Sequence, residues 1–428
     1  MRSSRVPSAP SSAPSSAQPR KRSLEPRDAR PARHLETEPS ALRPVRKGRG
    51  ARVNPTGRFE RARVEPDLDA LADSIASRGP FETRNRGTDG GVEAARAQGS
   101  AFEEPAIEVD PEVLRTRAIP DPSRTAITFN KSPDIPFDAS LNPYRGCEHG
   151  CAYCYARPTH EYLGYSAGLD FETKILVKEK APELLRRELA ARRWKPQVVA
   201  LSGVTDAYQP MERKLELTRR CVQVFTEFRN PIAIITKNAL VTRDIDLFRE
   251  LAEHQAISVS LSITTLDVEL QRALEPRASA PHERLRAIER LAAAGIPANV
   301  MVAPIIPGLT DAETPAILQA AASAGATGAG HIVLRLPYGV RDLFDDWLLN
   351  HRPLRREKVL SRLESLRGGR LNDPRFGTRM RGEGIFAEQI EGLFRLIARK
   401  HGLDRPQPPL STKSFRRPGG TQLDFFLG

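Results

Sequence analysis

The chain is poor in cysteine and tryptophan, with four Cys and two Trp in 428 residues. Three of the four cysteines fall between positions 147 and 154, so they cannot form the disulfide framework of a secreted domain. A reducing, cytoplasmic setting is expected. No run approaches 18 consecutive apolar residues, so neither a membrane-spanning helix nor a membrane partner is expected. The N-terminus, MRSSRVPSAPSSAPSSAQPRKR, lacks the apolar stretch of a secretory signal. It is Arg- and Ser-rich like a transit peptide, but its prolines oppose the amphipathic helix such a peptide forms. Acidic residues are also scarce there. Residues 1–64 hold sixteen Lys/Arg against five Asp/Glu, a net +11 of the chain's +13, which leaves +2 for residues 65–428. The basicity therefore belongs to an arm. Such an arm either holds phosphates through counterion release or simply solvates the protein.

Hydrophobic residues make up 39% of the chain and Pro is abundant at 36, which suggests a packed core carrying disordered segments. Residues 1–64 are expected to form a disordered basic arm, with Ser/Pro/Arg low complexity over 1–45. Its last part, RKGRGARVNPTGRFER at 46–61, can clamp nucleic acid or lie over the domain. Residues 65–125 are expected to form a linker and entry segment. Strands are expected at Thr173–Lys178, Val198–Val204, Ile232–Thr236, Ile257–Ile263, Ala298–Ala303 and His331–Leu336. Helices are expected between them, near 181–193, 213–229, 243–254, 281–294 and 311–324, the fourth ending on Gly295. Six βα units make an α/β fold, a partial (β/α)6 TIM-like barrel spanning residues 126–340, with its site at the C-terminal ends of the strands. A helical C-terminal extension follows over 341–403, with helices near 340–350, 353–367 and 384–401, and an extended tail runs from 404 to 428.

The chemistry is concentrated in LNPYRGCEHGCAYCYARPTHEYLG, where Cys147, Cys151 and Cys154 have the spacing C-x3-C-x2-C just ahead of the expected first strand. Three thiolates on one loop can face a common point, and thiolates select zinc or an iron–sulfur cluster. Zinc would need a fourth ligand, His149 or His160. Cys221 lies in LTRRCVQVF, at a helical core position. Three ligands on one loop suit a four-iron cluster with one iron left open to a small molecule.

The motif C-x3-C-x-aromatic-C, carried by Cys147, Cys151, Tyr153 and Cys154, resembles that of the radical SAM superfamily. The resemblance implies a [4Fe–4S] cluster on the three cysteines. It implies S-adenosylmethionine bound at the open iron and cleaved to a 5′-deoxyadenosyl radical, and an external reductant such as flavodoxin or ferredoxin. It also implies cofactor contacts along the strand ends. Ser202, Gly203, Thr205 and Asp206 stand where that family binds the methionine amine. Lys237 can meet the carboxylate, and Ser260 and Ser262 can reach the ribose.

Within the superfamily, NPYRGCEHGCAYCYAR and TDAYQPME are similar to the spore photoproduct lyase branch, which includes bacterial proteins called DNA repair photolyases. The resemblance implies a lyase-like DNA repair reaction. That lyase returns a hydrogen atom from a cysteine just after strand two. Here Gly203 stands near that place, and no Cys occurs between 155 and 220. Tyr208, in the same turn, is then a candidate catalytic hydrogen donor. The leading expectation is a radical enzyme acting on DNA or a nucleic-acid-associated substrate. The alternatives are a radical enzyme on a small metabolite and a nucleic-acid-binding accessory with a structural or redox cluster. At the C-terminus, Gln422-Leu423-Asp424-Phe425-Phe426 resembles the peptide motif that docks into the bacterial sliding clamp. The other reading of this segment is an apolar tail that folds back on its own domain.

Overall fold

The computed structural model describes residues 48–55, 57–59 and 115–418. The chain forms β1 (Arg117–Pro120), β2 (Ile127–Phe129), β3 (Ala139–Leu141) and β4 (Tyr144–Arg145), then a short helix α1 (Leu169–Thr173) and β5 (Lys174–Val177). Alternation follows through α2 (Ala181–Ala190), β6 (Val199–Leu201), α3 (Glu212–Leu215), α4 (Leu217–Phe228) and β7 (Ile232–Thr236). It continues through α5 (Ile245–Glu253), β8 (Ile257–Ser262), α6 (Val268–Leu274), α7 (Pro281–Ala293), β9 (Ala298–Ile305), α8 (Thr314–Ser323) and β10 (Gly328–Val333). The C-terminal helices are α9 (Val340–His351), α10 (Pro353–Ser365) and α11 (Ile385–Lys400). No helix among the described residues is long and apolar enough to cross a membrane.

Strands β3, β6, β7, β8, β9 and β10 lie side by side and parallel, and β2 runs antiparallel on the outer edge of β3. This is an α/β fold, a six-stranded partial barrel whose edges are β2 and β10. The strands are apolar because helices cover their outer face. Leu201, Ile234, Val259 and Val300 are buried in one core with Leu185, Phe225, Phe248, Ile288 and Ile317. Burying each such side chain contributes about 1.5–3 kcal/mol. Cys221 is fully buried in the same core, as expected. The opposite face is more polar, with Ser260 and Asn299 on it. Ile235, Ser260, Asn299 and Gly328 stand in register across β7 to β10. A Cβ on Gly328 would stand 2.7 Å from Asn299 Oδ1, so a larger residue there would push the Asn299 amide aside.

The sequence pattern misplaced the first strand. Thr173–Lys178 was expected to open the parallel sheet. The observed β5 instead belongs to a separate three-stranded sheet in the order β1-β5-β4. The parallel sheet opens on β3, whose three residues, ASL, are too few to show a period. The cysteine loop therefore follows the first parallel strand and leaves from its C-terminal end.

Two peripheral segments are fastened to the barrel. The segment at 46–61 lies over the domain through its described residues, so the basic arm does not run unbroken to residue 64. Gly50 and Ala51 donate their N–H groups to Glu172 at 3.1 and 2.8 Å. Ser166 donates to the Pro55 carbonyl at 2.7 Å. The Arg58 guanidinium sits 3.8 Å from the Tyr338 ring centroid. A Cβ on Gly50 would overlap the Gly150 carbonyl, so only glycine allows this close crossing of the cysteine loop. At the other end, the tail crosses the N-terminal ends of the strands. Gln407 bonds to Thr327 just before β10, and Ser411 N–H donates to Gln255 just before β8 at 2.8 Å. Arg416 N–H then donates to Phe228 at 2.9 Å, and Arg417 donates to the Trp194 carbonyl at 3.0 Å.

Candidate functional site

The cysteine loop is built from three consecutive turns. Gly150 N–H donates to the Cys147 carbonyl, Cys154 N–H to Cys151, and Arg157 N–H to Cys154, at 3.4, 3.2 and 3.3 Å. Gly146 and Gly150 make these turns possible at φ +87° and +65°. Neighbouring elements then fix the loop. Cys147 N–H donates to Phe171 in α1, and Ala152 N–H donates to Leu274 at the end of α6, both at 2.9 Å. The Gln209 side chain accepts from Glu148 N–H at 2.8 Å and donates to the Gly146 carbonyl at 3.2 Å. Arg157, fully buried, donates to the Cys151 carbonyl at 2.9 and 3.0 Å and pairs with Glu172 at 2.5 Å.

The donor set fits a cluster. Cys147 and Cys151 are buried and Cys154 is half-buried. Burial first, then Asp206 and the other two sulfurs, push the Cys147 thiol well above the usual range. Burial and then the Glu275 charge push Cys151 up as well. Buried sulfurs that repel one another as thiolates become stable ligands when a cationic group sits among them. Among the described residues, no three His, Cys, Asp or Glu side chains are placed to hold a single metal ion. In a four-iron cluster each thiolate takes a different iron, so the sulfurs need not converge.

Neither histidine offered for zinc joins them. His149 pairs with Asp206 at 3.3 Å and lies 3.3 Å from the Asn238 amide. His160 turns its Nε2 to the Lys174 carbonyl at 2.9 Å. Burial pulls the His160 imidazole down to about 4, against the opposing pull of that carbonyl and Asp170. The denatured chain takes up this proton first, near the ordinary value of 6.5. Stability from His160 is therefore complete above pH 6.5 and drains away as pH falls toward 4, by about 3 kcal/mol in all. Urea unfolding of the wild type and His160→Asn between pH 7.5 and 4.5 checks this. A slope of the same steepness in both proteins would assign it elsewhere.

The expected cofactor residues fall into two groups. Those after β6 are occupied by the turn itself. Ser202, at φ +76°, accepts from Ala207 N–H at 2.7 Å, and Thr205 donates to the Tyr144 carbonyl at 2.8 Å. Asp206 accepts from Tyr208 N–H, Thr236 Oγ1 and Lys237 N–H at 2.9, 2.7 and 2.8 Å, besides His149. Burial pushes its carboxyl up, but His149 and these donors outweigh that and hold it below the usual range. It is a knot joining the loop, the β6 turn and β7. Gly203 contributes its carbonyl, which accepts from the Tyr155 hydroxyl at 2.7 Å. Tyr208, the candidate hydrogen donor, is fully buried in the apolar core and donates to Asp244 at 3.0 Å.

The second group meets inside the barrel. Lys237 donates to Ser262 Oγ at 2.7 Å and the Ala303 carbonyl at 2.9 Å, and pairs with Glu275 at 3.3 Å. Tyr153 bonds to Glu275 and lies 3.1 Å from Thr264 Oγ1. Arg284 also pairs with Glu275, which is fully buried. Burial raises the Glu275 carboxyl, but Arg284 and Lys237 outweigh it and hold the group far below the usual range. Two cations, Lys237 and Arg284, thus flank the single carboxylate of Glu275. Ser260 and Ser262 share a strand face, and the Ser260 hydroxyl has no partner among the described residues. Sequence reading missed Glu275 and Arg284, which no local pattern marks. It also missed Tyr155, although an aromatic residue directly after the third Cys was visible. Tyr155 is 49% exposed at the mouth.

Comparison with known proteins agrees with this geometry. The model of the Radical SAM superfamily matches residues 141–321, from the end of β3 through most of α8. An uncharacterised protein of Mycobacterium tuberculosis is 34% identical over 310 residues, 68% of this chain and 87% of that protein. One of Methanocaldococcus jannaschii is 32% identical over 173 residues, 40% of this chain and 62% of that protein. Among solved structures, spore photoproduct lyase complexed with dinucleoside spore photoproduct aligns at a TM-score of 0.49 and 16% identity, covering 66% of this chain and 79% of that one. Members of the matched family use a [4Fe–4S] cluster and S-adenosylmethionine. With its three cysteines on one buttressed loop at the mouth of a six-stranded parallel barrel, the chain belongs to the radical SAM superfamily and is a radical SAM enzyme.

Proposed function

We propose that the enzyme acts on DNA or a nucleic-acid-associated substrate, in the manner of a repair lyase. When bound, the cluster and S-adenosylmethionine supply a 5′-deoxyadenosyl radical that abstracts a hydrogen atom from substrate. Cys147, Cys151 and Cys154 would hold the cluster. The charge excess of Lys237 and Arg284 over Glu275 would draw in the methionine carboxylate.

The observation that carries the nucleic-acid reading is a cationic group at the mouth. Arg335 follows β10, with its guanidinium 5.7 Å from the ring of Tyr155, the residue after Cys154. Its Nε is buried without a partner among the described residues. Burial and then Arg379 push the Arg335 guanidinium below the usual range. Arg367 lies close by and donates to the Leu334 and Arg379 carbonyls at 2.7 and 3.1 Å, its own Nε likewise buried without a partner among the described residues. A phosphodiester would accept from the open side of Arg335 and relieve this repulsion.

The test is anaerobic turnover with dithionite, S-adenosylmethionine and oligonucleotides, irradiated or not. We expect an oligonucleotide to stimulate 5′-deoxyadenosine formation and to transfer deuterium into it. Arg335→Ala should raise KM for the oligonucleotide at least about tenfold, the worth of one charge-assisted contact, and leave uncoupled cleavage unchanged. Stimulation by small nucleosides but by no oligonucleotide would overturn the reading.

The tail supports the same assignment. Residues 422–426, with the clamp-like motif, lie outside the described residues. The described chain runs up to them past Arg417, which donates to the Trp194 carbonyl. Titrating purified bacterial sliding clamp with peptide 418–428 should show binding that Leu423→Ala with Phe426→Ala abolishes. Equal behaviour of the two peptides would remove the link.

A further inference from the structure

On the outside of the barrel, α10, α11 and the turn after β9 enclose a groove of about 640 Å³. One wall is a cationic ridge along α10. Arg352, Arg355, Lys358 and Arg362 recur at three- and four-residue spacing, which places them on one helix face. Arg362 pairs with Asp311 at 2.8 Å. Arg355 and Lys358 are exposed and have no acidic partner among the described residues. The groove's other carboxylates are committed within the fold. Glu313 accepts from Thr265 Oγ1 and Leu266 N–H, both at 2.7 Å, and Asp267 caps α6. The lining thus carries four cations against three carboxylates, and Arg355 and Lys358 are its exposed cations outside any ion pair among the described residues.

The facing wall is apolar. Phe386 and Leu393 on α11 line the groove at 43% and 39% exposure, and Ile385 and Leu396 extend the row at 73% and 65%. An apolar row bordered by cations is the composition of a protein interface, an apolar centre with a charged rim. A nucleic-acid backbone would use the ridge and leave four large apolar side chains in water.

The floor of the groove leads to the cysteine loop. Leu270 and Leu309 line the groove and pack in the same apolar cluster as Cys151, Tyr153 and Cys154. Helix α6 carries Leu270 and ends at Leu274, whose carbonyl accepts from Ala152 N–H between two of the ligands. The four-residue step from Leu270 to Leu274 covers about 6 Å of helix.

We infer that this groove docks a small acidic protein carrying a low-potential one-electron centre, the donor that reduces the cluster. One electron leaves the reduced carrier and enters the oxidised cluster, taking it from [4Fe–4S]2+ to [4Fe–4S]1+. The carrier ends one electron more oxidised, and no covalent bond forms or breaks. The inference rests on the family's cofactor and stands apart from the nucleic-acid reading.

The experiment uses anaerobic, cluster-loaded full-length enzyme with flavodoxin as the probe. Binding is read by calorimetry, and cluster bleaching by stopped-flow absorbance with reduced flavodoxin or with dithionite. Arg355→Glu with Lys358→Glu should weaken flavodoxin binding about tenfold or more and slow bleaching by flavodoxin in proportion. Leu393→Ser, which alters no charge, should do the same to a smaller extent and leave the dithionite rate at its wild-type value. Raising salt should weaken wild-type binding more than that of the charge-reversed variant. Absence of saturable binding by the wild type overturns the inference. So does full flavodoxin affinity in both variants, or loss of duplex DNA binding in the charge-reversed variant while flavodoxin affinity stays intact.

Discussion

Cys147→Ala, Cys151→Ala and Cys154→Ala should each abolish the brown absorbance of a reconstituted four-iron cluster, whereas Cys221→Ala should keep it in full. The contrast follows from where the sulfurs lie. Cys221 is fully buried in the apolar core among α2, α4 and the sheet. The other three occupy a loop whose carbonyls and N–H groups are fixed by Arg157, Gln209, Phe171 and Leu274. With one thiolate gone, two protein ligands remain for a cluster that needs three, and the effect is close to all-or-none. Iron and acid-labile sulfide assays alongside the visible spectrum check it. Retention of a stoichiometric cluster by any of the three variants would show that another residue supplies the ligand.

The cysteine loop was legible in the sequence because its information is local. A spacing of three and two residues, with glycines at 146 and 150, is both the chemistry and the turn geometry. The barrel was legible for the same reason: β7, β8 and β9 are long enough to show their pattern, and α7 is followed by Gly295 in the left-handed region. Reading failed wherever a residue's role depends on a distant partner. Three residues of β3 become a strand only because β6 and β2 pair with them. Asp206 looked like a cofactor ligand from its place after a strand. Its four donors come from three separate segments, and together they make it a knot. Glu275 and Arg284 lie outside every strand-end motif, yet they set the charge around Lys237. The stretch at 48–55 has the composition of an arm, and its partners Glu172, Gly150 and Ser166, all distant in sequence, show why it is held.

Glu172→Gln should cost about 3–5 kcal/mol of stability, the usual consequence of leaving one member of a buried ion pair uncompensated. Both Glu172 and Arg157 are fully buried, and the pair stands at 2.5 Å. Replacing a buried pair with two apolar residues is often neutral, because desolvating the charges offsets their attraction. That escape is closed here. Arg157 also serves the carbonyls of Cys151, Ala167 and Gly168, and Glu172 also receives the N–H groups of Gly50 and Ala51. An Arg157→Met, Glu172→Leu double variant would strand those backbone groups in the interior, at about 1–3 kcal/mol each where water cannot reach them. It should therefore be no more stable than the single variant. The loss should also have a location. With one amide oxygen in place of two carboxylate oxygens, the Gly50 and Ala51 N–H groups lose one of their two acceptors and Arg157 loses its counter-charge, so protease sensitivity near residue 50 and iron release should rise together. Urea unfolding, limited proteolysis and iron retention measure the three effects. A double variant as stable as wild type would show that the pair acts only as a compensated charge and does not bind strap, loop and α1 into one unit.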